Sequence, residues 1–200
     1  PVQNRYDLKA ERSVSEADVA QRLVVTHTIE LPFGKGKAIL SGASGALNHL
    51  VGGWSVSGSA SLASGFPLAL TSSGNSGVGS ATLRPNSTGK SAELSGDVQT
   101  RLTKYFDTAA FSIPATFTFG KAARTLPDVR SPDRRNYDFA VTKNFMVHEP
   151  ISLLFRAEAF NLTNTPYFLN PGTALGSGTF GVISTSLGER QVQFSLKLLW

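Results

Sequence analysis

Residues 54–63, Trp54-Ser-Val-Ser-Gly-Ser-Ala-Ser-Leu-Ala63, alternate without a break. Trp54, Val56, Gly58, Ala60 and Leu62 hold the even positions, and Phe66, Leu68 and Leu70 continue that parity. Ser55, Ser57, Ser59, Ser61 and Ala63 hold the odd ones. A period of two sends successive side chains to opposite faces of an extended chain. The pattern therefore predicts a β-strand with one apolar and one polar face.

Four more segments repeat it. Leu23, Val25, Ile29 and Leu31 alternate with Arg22, Thr26, Thr28 and Glu30. Tyr137, Phe139, Val141, Phe145 and Val147 alternate with Asp138, Thr142 and Asn144. Ile151, Leu153, Phe155, Ala157 and Ala159 alternate with Ser152, Arg156 and Glu158. Val192, Phe194, Leu196, Leu198 and Trp200 alternate with Gln191, Gln193, Ser195 and Lys197. Strands of soluble proteins average about 5–6 residues, whereas a membrane-spanning strand needs about 9–11. All five segments reach the longer class. The expected fold is thus all-β: an antiparallel meander of long strands forming part of a transmembrane β-barrel, apolar faces toward lipid and polar faces toward the lumen.

Two residues sit awkwardly on the apolar faces. Lys143 falls among Val141 and Phe145. A lysine at mid-bilayer costs about 2–4 kcal/mol, so Lys143 is expected to snorkel to the strand end. His27 lies between Val25 and Ile29, and the sequence offers no account of it.

Connections differ in length. His148, Glu149 and Pro150 make a tight turn, and proline just before a strand loses no ladder bond. The segments 72–136 and 164–189 are long. Short turns on one side and long external loops on the other is the outer-membrane arrangement. The link 32–53 breaks this rule, and its Leu47, Leu50 and Val51 are compatible with a short helix under the wall.

Composition agrees. Charged residues are 16 % and hydrophobic ones 40 % of the 200 residues, where about 25 % charged is usual in soluble domains. The net charge of +5 is spread among acids, so no basic stripe for nucleic acid is present. Cysteine is absent, which excludes disulfides and thiolate metal sites. No apolar run is long enough for a transmembrane helix.

The end of the chain, Arg190-Gln-Val-Gln-Phe-Ser-Leu-Lys-Leu-Leu-Trp200, resembles the terminal strand of outer-membrane barrels, which the barrel-assembly machinery reads. Arg156-Ala-Glu-Ala-Phe-Asn-Leu-Thr-Asn-Thr-Pro-Tyr167 resembles the penultimate strand of TonB-dependent receptors, with Thr163 where an aromatic is usual. Further stretches resemble the Oar-like branch of TonB-dependent transporters, in the family's order. They are Glu30-Leu-Pro-Phe-Gly-Lys-Gly-Lys37, Gly52-Gly-Trp-Ser-Val-Ser-Gly58, Ser64-Gly-Phe-Pro67, Arg84-Pro-Asn86, Tyr105-Phe-Asp-Thr-Ala-Ala-Phe111 and Asn136-Tyr-Asp-Phe-Ala-Val-Thr-Lys-Asn-Phe145.

The resemblance implies a barrel of about 22 strands around a plug, energy-coupled passage of an unidentified solute, and a TonB-binding segment. Residues 1–200 would be the C-terminal part of that barrel, with plug, TonB-binding segment and export signal upstream. Its partners would be outer-membrane lipid and the assembly machinery, with TonB met only through the parts not in this sequence. Val192, Phe194, Leu196, Leu198 and Trp200 would form the assembly-competent terminal strand. Arg156, Glu158, Gln191, Gln193 and Lys197 would face the lumen, where Arg156 and Glu158 could pair with Lys197 or with the plug.

Enzymatic chemistry is not expected. His27, His49 and His148 lack ligand spacing. No Gly-x-Ser-x-Gly elbow with partners stands out, and Gly34-Lys-Gly-Lys37 lacks the spacing of a phosphate loop. No cofactor is implied. Asn86-Ser-Thr88 and Asn161-Leu-Thr163 match the glycosylation pattern only by chance. The aromatics Tyr105, Phe106, Phe111, Phe117 and Phe119 of the long loop fit either a solute contact or a packed lid. The alternatives to a TonB-dependent transporter are a passive barrel or adhesin without TonB coupling, and a soluble β-sandwich binding module.

An unpaired apolar terminal strand templates further strand pairing. Deleting Trp200 from the full-length protein is therefore expected to lower its outer-membrane level, measured by surface labelling; an unchanged level would remove the terminal-strand reading.

Overall fold

A computed structural model describes residues 2–72 and 83–200. The chain divides into two compact units. A sheet unit comprises Leu23–Leu62, Arg135–Pro166 and Gly188–Trp200, and a loop unit comprises Pro1–Arg22, Ala63–Arg134 and Tyr167–Leu187.

The sheet unit holds the five long strands foreseen from the alternation. They are β1 (Arg22–Glu30), β2 (Trp54–Ala63), β3 (Arg134–His148), β4 (Ile151–Phe160) and β5 (Gln191–Leu199). They are hydrogen-bonded in the order β1-β2-β3-β4-β5. Each strand thus lies beside its sequence neighbour, which is an antiparallel meander. At 9 to 15 residues and about 3.3 Å per residue, each is long enough for a tilted crossing of a bilayer core.

Register decides what this sheet presents. Val192 stands opposite Ala159, Phe194 opposite Ala157, Leu196 opposite Phe155 and Leu198 opposite Leu153. Phe139, Val141 and Phe145 stand opposite Ala159, Ala157 and Leu153. Leu31 donates its amide to the Trp54 carbonyl, and Asn144 donates to Gly53, which carries the same parity across β1 and β2. All five apolar rows therefore lie on one face. A slip of one residue in any pair would turn a whole row over. That face is not a core: Phe194 is 72 % and Leu196 64 % exposed, and Leu23, Val25, Ile29, Val192 and Leu198 are exposed too. A two-sheet sandwich would have packed these side chains against a second layer.

His27 finds its place over a glycine. Gly58 lies between it and Tyr137 on the apolar face. A Cβ at Gly58 would meet His27 Cε1 at 2.6 Å and the Tyr137 hydroxyl at 2.9 Å. The two rings lie nearly parallel, with centroids 6.3 Å apart. Rings from both neighbouring strands cover the bare backbone of Gly58, as aromatic side chains do at glycines in built sheets.

Lys143 departs from expectation. Instead of reaching water at the strand end, it is only 1 % exposed. The link 32–53 does contain a helix, α1 (Gly45–Val51). The ammonium donates to the carbonyls of Leu50, at 3.2 Å, and of Gly52. Carbonyls in the last turn of a helix have no partner within it, and a cation suits them. The rings of Trp54 and Phe145 stand 5.1 Å and 4.9 Å from the ammonium, within cation–π range. The anomalous length of the link and the anomalous lysine answer each other.

The apolar parity of β2 also stops earlier than the sequence implied. The strand ends at Ala63, because Pro67 has no amide for a ladder and Gly65 leaves no room for a Cβ beside the Ser131 carbonyl. Leu68 and Leu70 instead enter the core of the loop unit, with Tyr105, Phe106, Phe111 and Ile183.

If the exposed face meets hydrocarbon, neighbouring positions on β5 should respond oppositely to charge. Phe194→Lys is expected to destabilise the assembled protein by about 2–4 kcal/mol, and Ser195→Lys far less. The folded fraction, read by heat-modifiable gel mobility, checks this; equal losses would overturn the face assignment.

Candidate functional site

The polar face of the sheet collects the residues expected to face a lumen. Arg156 and Glu158 point the same way on β4 and meet at 2.5 Å. Gln193 stands opposite Glu158 and donates to its other oxygen at 2.6 Å. Gln191 lies across from Phe160, and Lys197 across from Leu154. Lys197 is thus four β5 positions from Gln193, and the charge partner of Glu158 is Arg156 on its own strand. Of the two pairings left open by the sequence, with Lys197 or with a plug, the register shows neither, and Arg156 and Glu158 pair with each other. These groups offer hydrogen bonds and charge to a polar solute. Among the described residues no cluster of acidic, His or Cys side chains could hold a metal ion.

The strand end after Phe160 is built by the Asn-Leu-Thr-Asn motif. Asn161 adopts a left-handed conformation, φ 49°, which asparagine tolerates better than most residues. Its amide nitrogen donates to the carbonyls of Thr165, at 2.9 Å, and of Gly188. Its oxygen accepts from the Thr165 amide at 3.0 Å, and its own amide donates to Asp138 at 2.9 Å. One side chain therefore stops β4, shapes the turn and ties it to the approach of β5. Asn164 accepts from the Arg190 amide at 3.2 Å, which adds a second tie. Both residues belong to a match with the glycosylation pattern or its flank, and their geometry is structural.

In the loop unit the aromatics pack against one another. Phe106 meets Phe111 and Phe180 edge to face, at centroid distances of 6.1 and 5.2 Å. Such contacts add about 0.5–1.5 kcal/mol each beyond burial. Of the five loop aromatics singled out in the sequence, Tyr105, Phe106 and Phe111 are buried, Phe119 is half-buried and Phe117 is exposed. Packing within the loop claims the first three. The Tyr105 hydroxyl donates to the Arg130 carbonyl at 2.8 Å, and burial pushes its pKa up to about 12. Lys104, at 2.9 Å, and then the Ala109 amide hold the Asp107 carboxyl below the usual range.

The N-terminal segment, to which the sequence assigned no role, is bound into this unit. Arg84 and Glu11 form a two-pronged ion pair at 3.0 and 3.3 Å, with both side chains almost wholly buried. Gln3 accepts from the Arg84 amide at 2.7 Å and donates to Gly120 at 3.0 Å. Asp18 holds Arg130 at 2.5 Å. The only sequence signal was the Arg84-Pro-Asn86 stretch. Arg130 also lines a cleft of about 270 Å³, with Glu93, Arg101, Tyr105, Asp128 and Asp133 among others. It offers both signs of charge to a small polar ligand.

A family described as "Outer membrane beta barrel domain" matches residues 1–193. The chain belongs to that outer membrane β-barrel family. No curated protein and no solved structure matches it. An outer membrane β-barrel has an apolar outer and a polar inner face, and the sheet β1–β5 carries one apolar and one polar face. The protein is located in the outer membrane.

Removing one partner from a buried ion pair strands the other charge, at a cost of about 3–5 kcal/mol. Glu11→Ala is expected to open the loop unit, seen as faster limited proteolysis of the full-length protein between Leu83 and Arg134, while heat-modifiable mobility stays normal. An unchanged cleavage rate would show that the pair does not hold the segment.

Proposed function

We propose that this chain supplies wall, lumen lining and external loops to a TonB-dependent transporter of the Oar-like kind, and that it carries no catalytic group. The observation that carries the reading is the Asn161 turn. The motif that resembles the penultimate strand of TonB-dependent receptors does structural work at that strand's end, despite Thr163 in place of an aromatic.

Three further features support it. The connections at the His148–Ile151 end are a tight turn and the helix-bearing link 32–53, and the two longest segments leave from the opposite strand ends, as external loops do. The loop unit has its own packed core and a cleft of about 270 Å³ with mixed charge, which suits solute capture by loops on a rigid scaffold. The polar row of Arg156, Glu158 and Gln193 can pass hydrogen bonds to a solute or to a plug. Solute movement would draw its energy from TonB through upstream parts of the protein, and the present residues would bind, line and enclose.

The test is made on the full-length protein. Incorporated into planar lipid bilayers, it is expected to stay closed at rest and to bind the periplasmic domain of TonB in pull-down. A steady open conductance without TonB binding would overturn the proposal and identify a passive barrel.

A further inference from the structure

The link 32–53 is too long for a tight turn, and its apolar groups are not used up within the sheet unit. Leu50 is 69 % and Leu47 50 % exposed, three residues apart on α1, and Ile39 and Leu40 are exposed as well. Between residues 32 and 53 there are two lysines, Lys35 and Lys37, and no acid. Lys37 reaches Glu30 at 2.9 Å. Lys35 is exposed at a cleft of about 220 Å³ that it lines with Asn48 and His49 and with Asn144 and Met146 of the polar row of β3, so this lysine stands on the polar side of the link.

The place of α1 is fixed by contacts on the lipid-facing side. Lys143 and Trp54 both project from that face, and both end on carbonyls at the C-terminal end of α1: Lys143 on Leu50 and on the capping Gly52, and the Trp54 indole on Leu50 at 2.9 Å. Asn48 accepts the Lys35 amide at 2.7 Å, which folds the basic part of the link against the helix. The exposed leucines thus continue the lipid-facing surface at its hairpin end, where Trp54, Phe145 and Trp200 also stand. Aromatic girdles mark the headgroup level of such barrels.

We infer that the link 32–53 is a membrane-interface anchor: α1 lies in the headgroup–acyl boundary with Leu47 and Leu50 in lipid, clamped to the wall by Lys143. An exposed apolar helix face on a link without acids suits the membrane interface. The clamp lets a lysine stand on a lipid-facing strand without meeting hydrocarbon. The inference rests on the family and on this geometry, and does not depend on TonB coupling.

The experiment uses the full-length protein, with any upstream cysteine removed, in vesicles of phosphatidylethanolamine and phosphatidylglycerol. A fluorescent label is placed at Leu50→Cys and, for comparison, at Glu149→Cys on the hairpin apex. Phospholipids carrying a nitroxide near the top of the acyl chain are expected to quench Leu50 at least about twofold more than Glu149, with aqueous iodide showing the reverse order. Lys143→Met should lower the lipid quenching at Leu50 by about half or more. Trp54→Phe, which keeps a ring but loses the indole donor, should lower it too, and serves if Lys143→Met fails to assemble. Leu50 quenched mainly by iodide, or by neither quencher, would overturn the anchor, the first placing the link in water and the second under protein. Lipid quenching that survives both Lys143→Met and Trp54→Phe would overturn the clamp.

Discussion

The register of four strand pairs governs everything else in this molecule. Each strand has an apolar and a polar row, and the ladders place all five apolar rows on one side. Period-two chemistry leaves no intermediate arrangement: a pair is either in this register or has turned one row to the wrong solvent. The turns help to enforce it. His148–Ile151 closes β3 onto β4 within a few residues, and Asn161 closes the end of β4 through four hydrogen bonds, one to Asp138 on β3, two to Thr165 within its own turn and one to Gly188 before β5.

The consequence is a protein with its hydrophobic core and its hydrophobic surface in different places. Leu68, Phe106, Phe111 and Ile183 are buried together in the loop unit. The sheet buries no comparable cluster and instead exposes Phe194, Leu196 and their row. In water such a face would drive aggregation. In the outer membrane it is solvated by hydrocarbon, and the backbone ladders satisfy the polar groups that hydrocarbon cannot. The loop unit obeys the rules of a water-soluble domain, with an aromatic cluster, a buried ion pair and capped 3₁₀ turns at Asp97 and Asp107.

This division explains what could be read from the amino acids beforehand. The strands were legible because one local rule, alternation, determines them. β2 was overextended because Leu68 and Leu70 keep the same parity while serving a different core. Lys143 and the long link each looked like an exception, since the contact between them spans about ninety residues and leaves no periodic trace. The N-terminal segment was opaque for the same reason: Gln3, Glu11 and Asp18 find Arg84, Gly120 and Arg130 far along the chain. Of the polar face, membership was legible from parity, whereas the Arg156–Glu158–Gln193 pairing depends on register.

Gly58 carries one more implication, for how such a sequence can drift. The imidazole of His27 and the phenol of Tyr137 occupy the volume that any side chain at position 58 would need. These three positions, on three strands, therefore form a single unit of substitution. A larger residue at 58 would require smaller ones at 27 and 137, and loss of either ring would leave bare backbone open to lipid. Homologues that diverge here should change as a trio or keep all three.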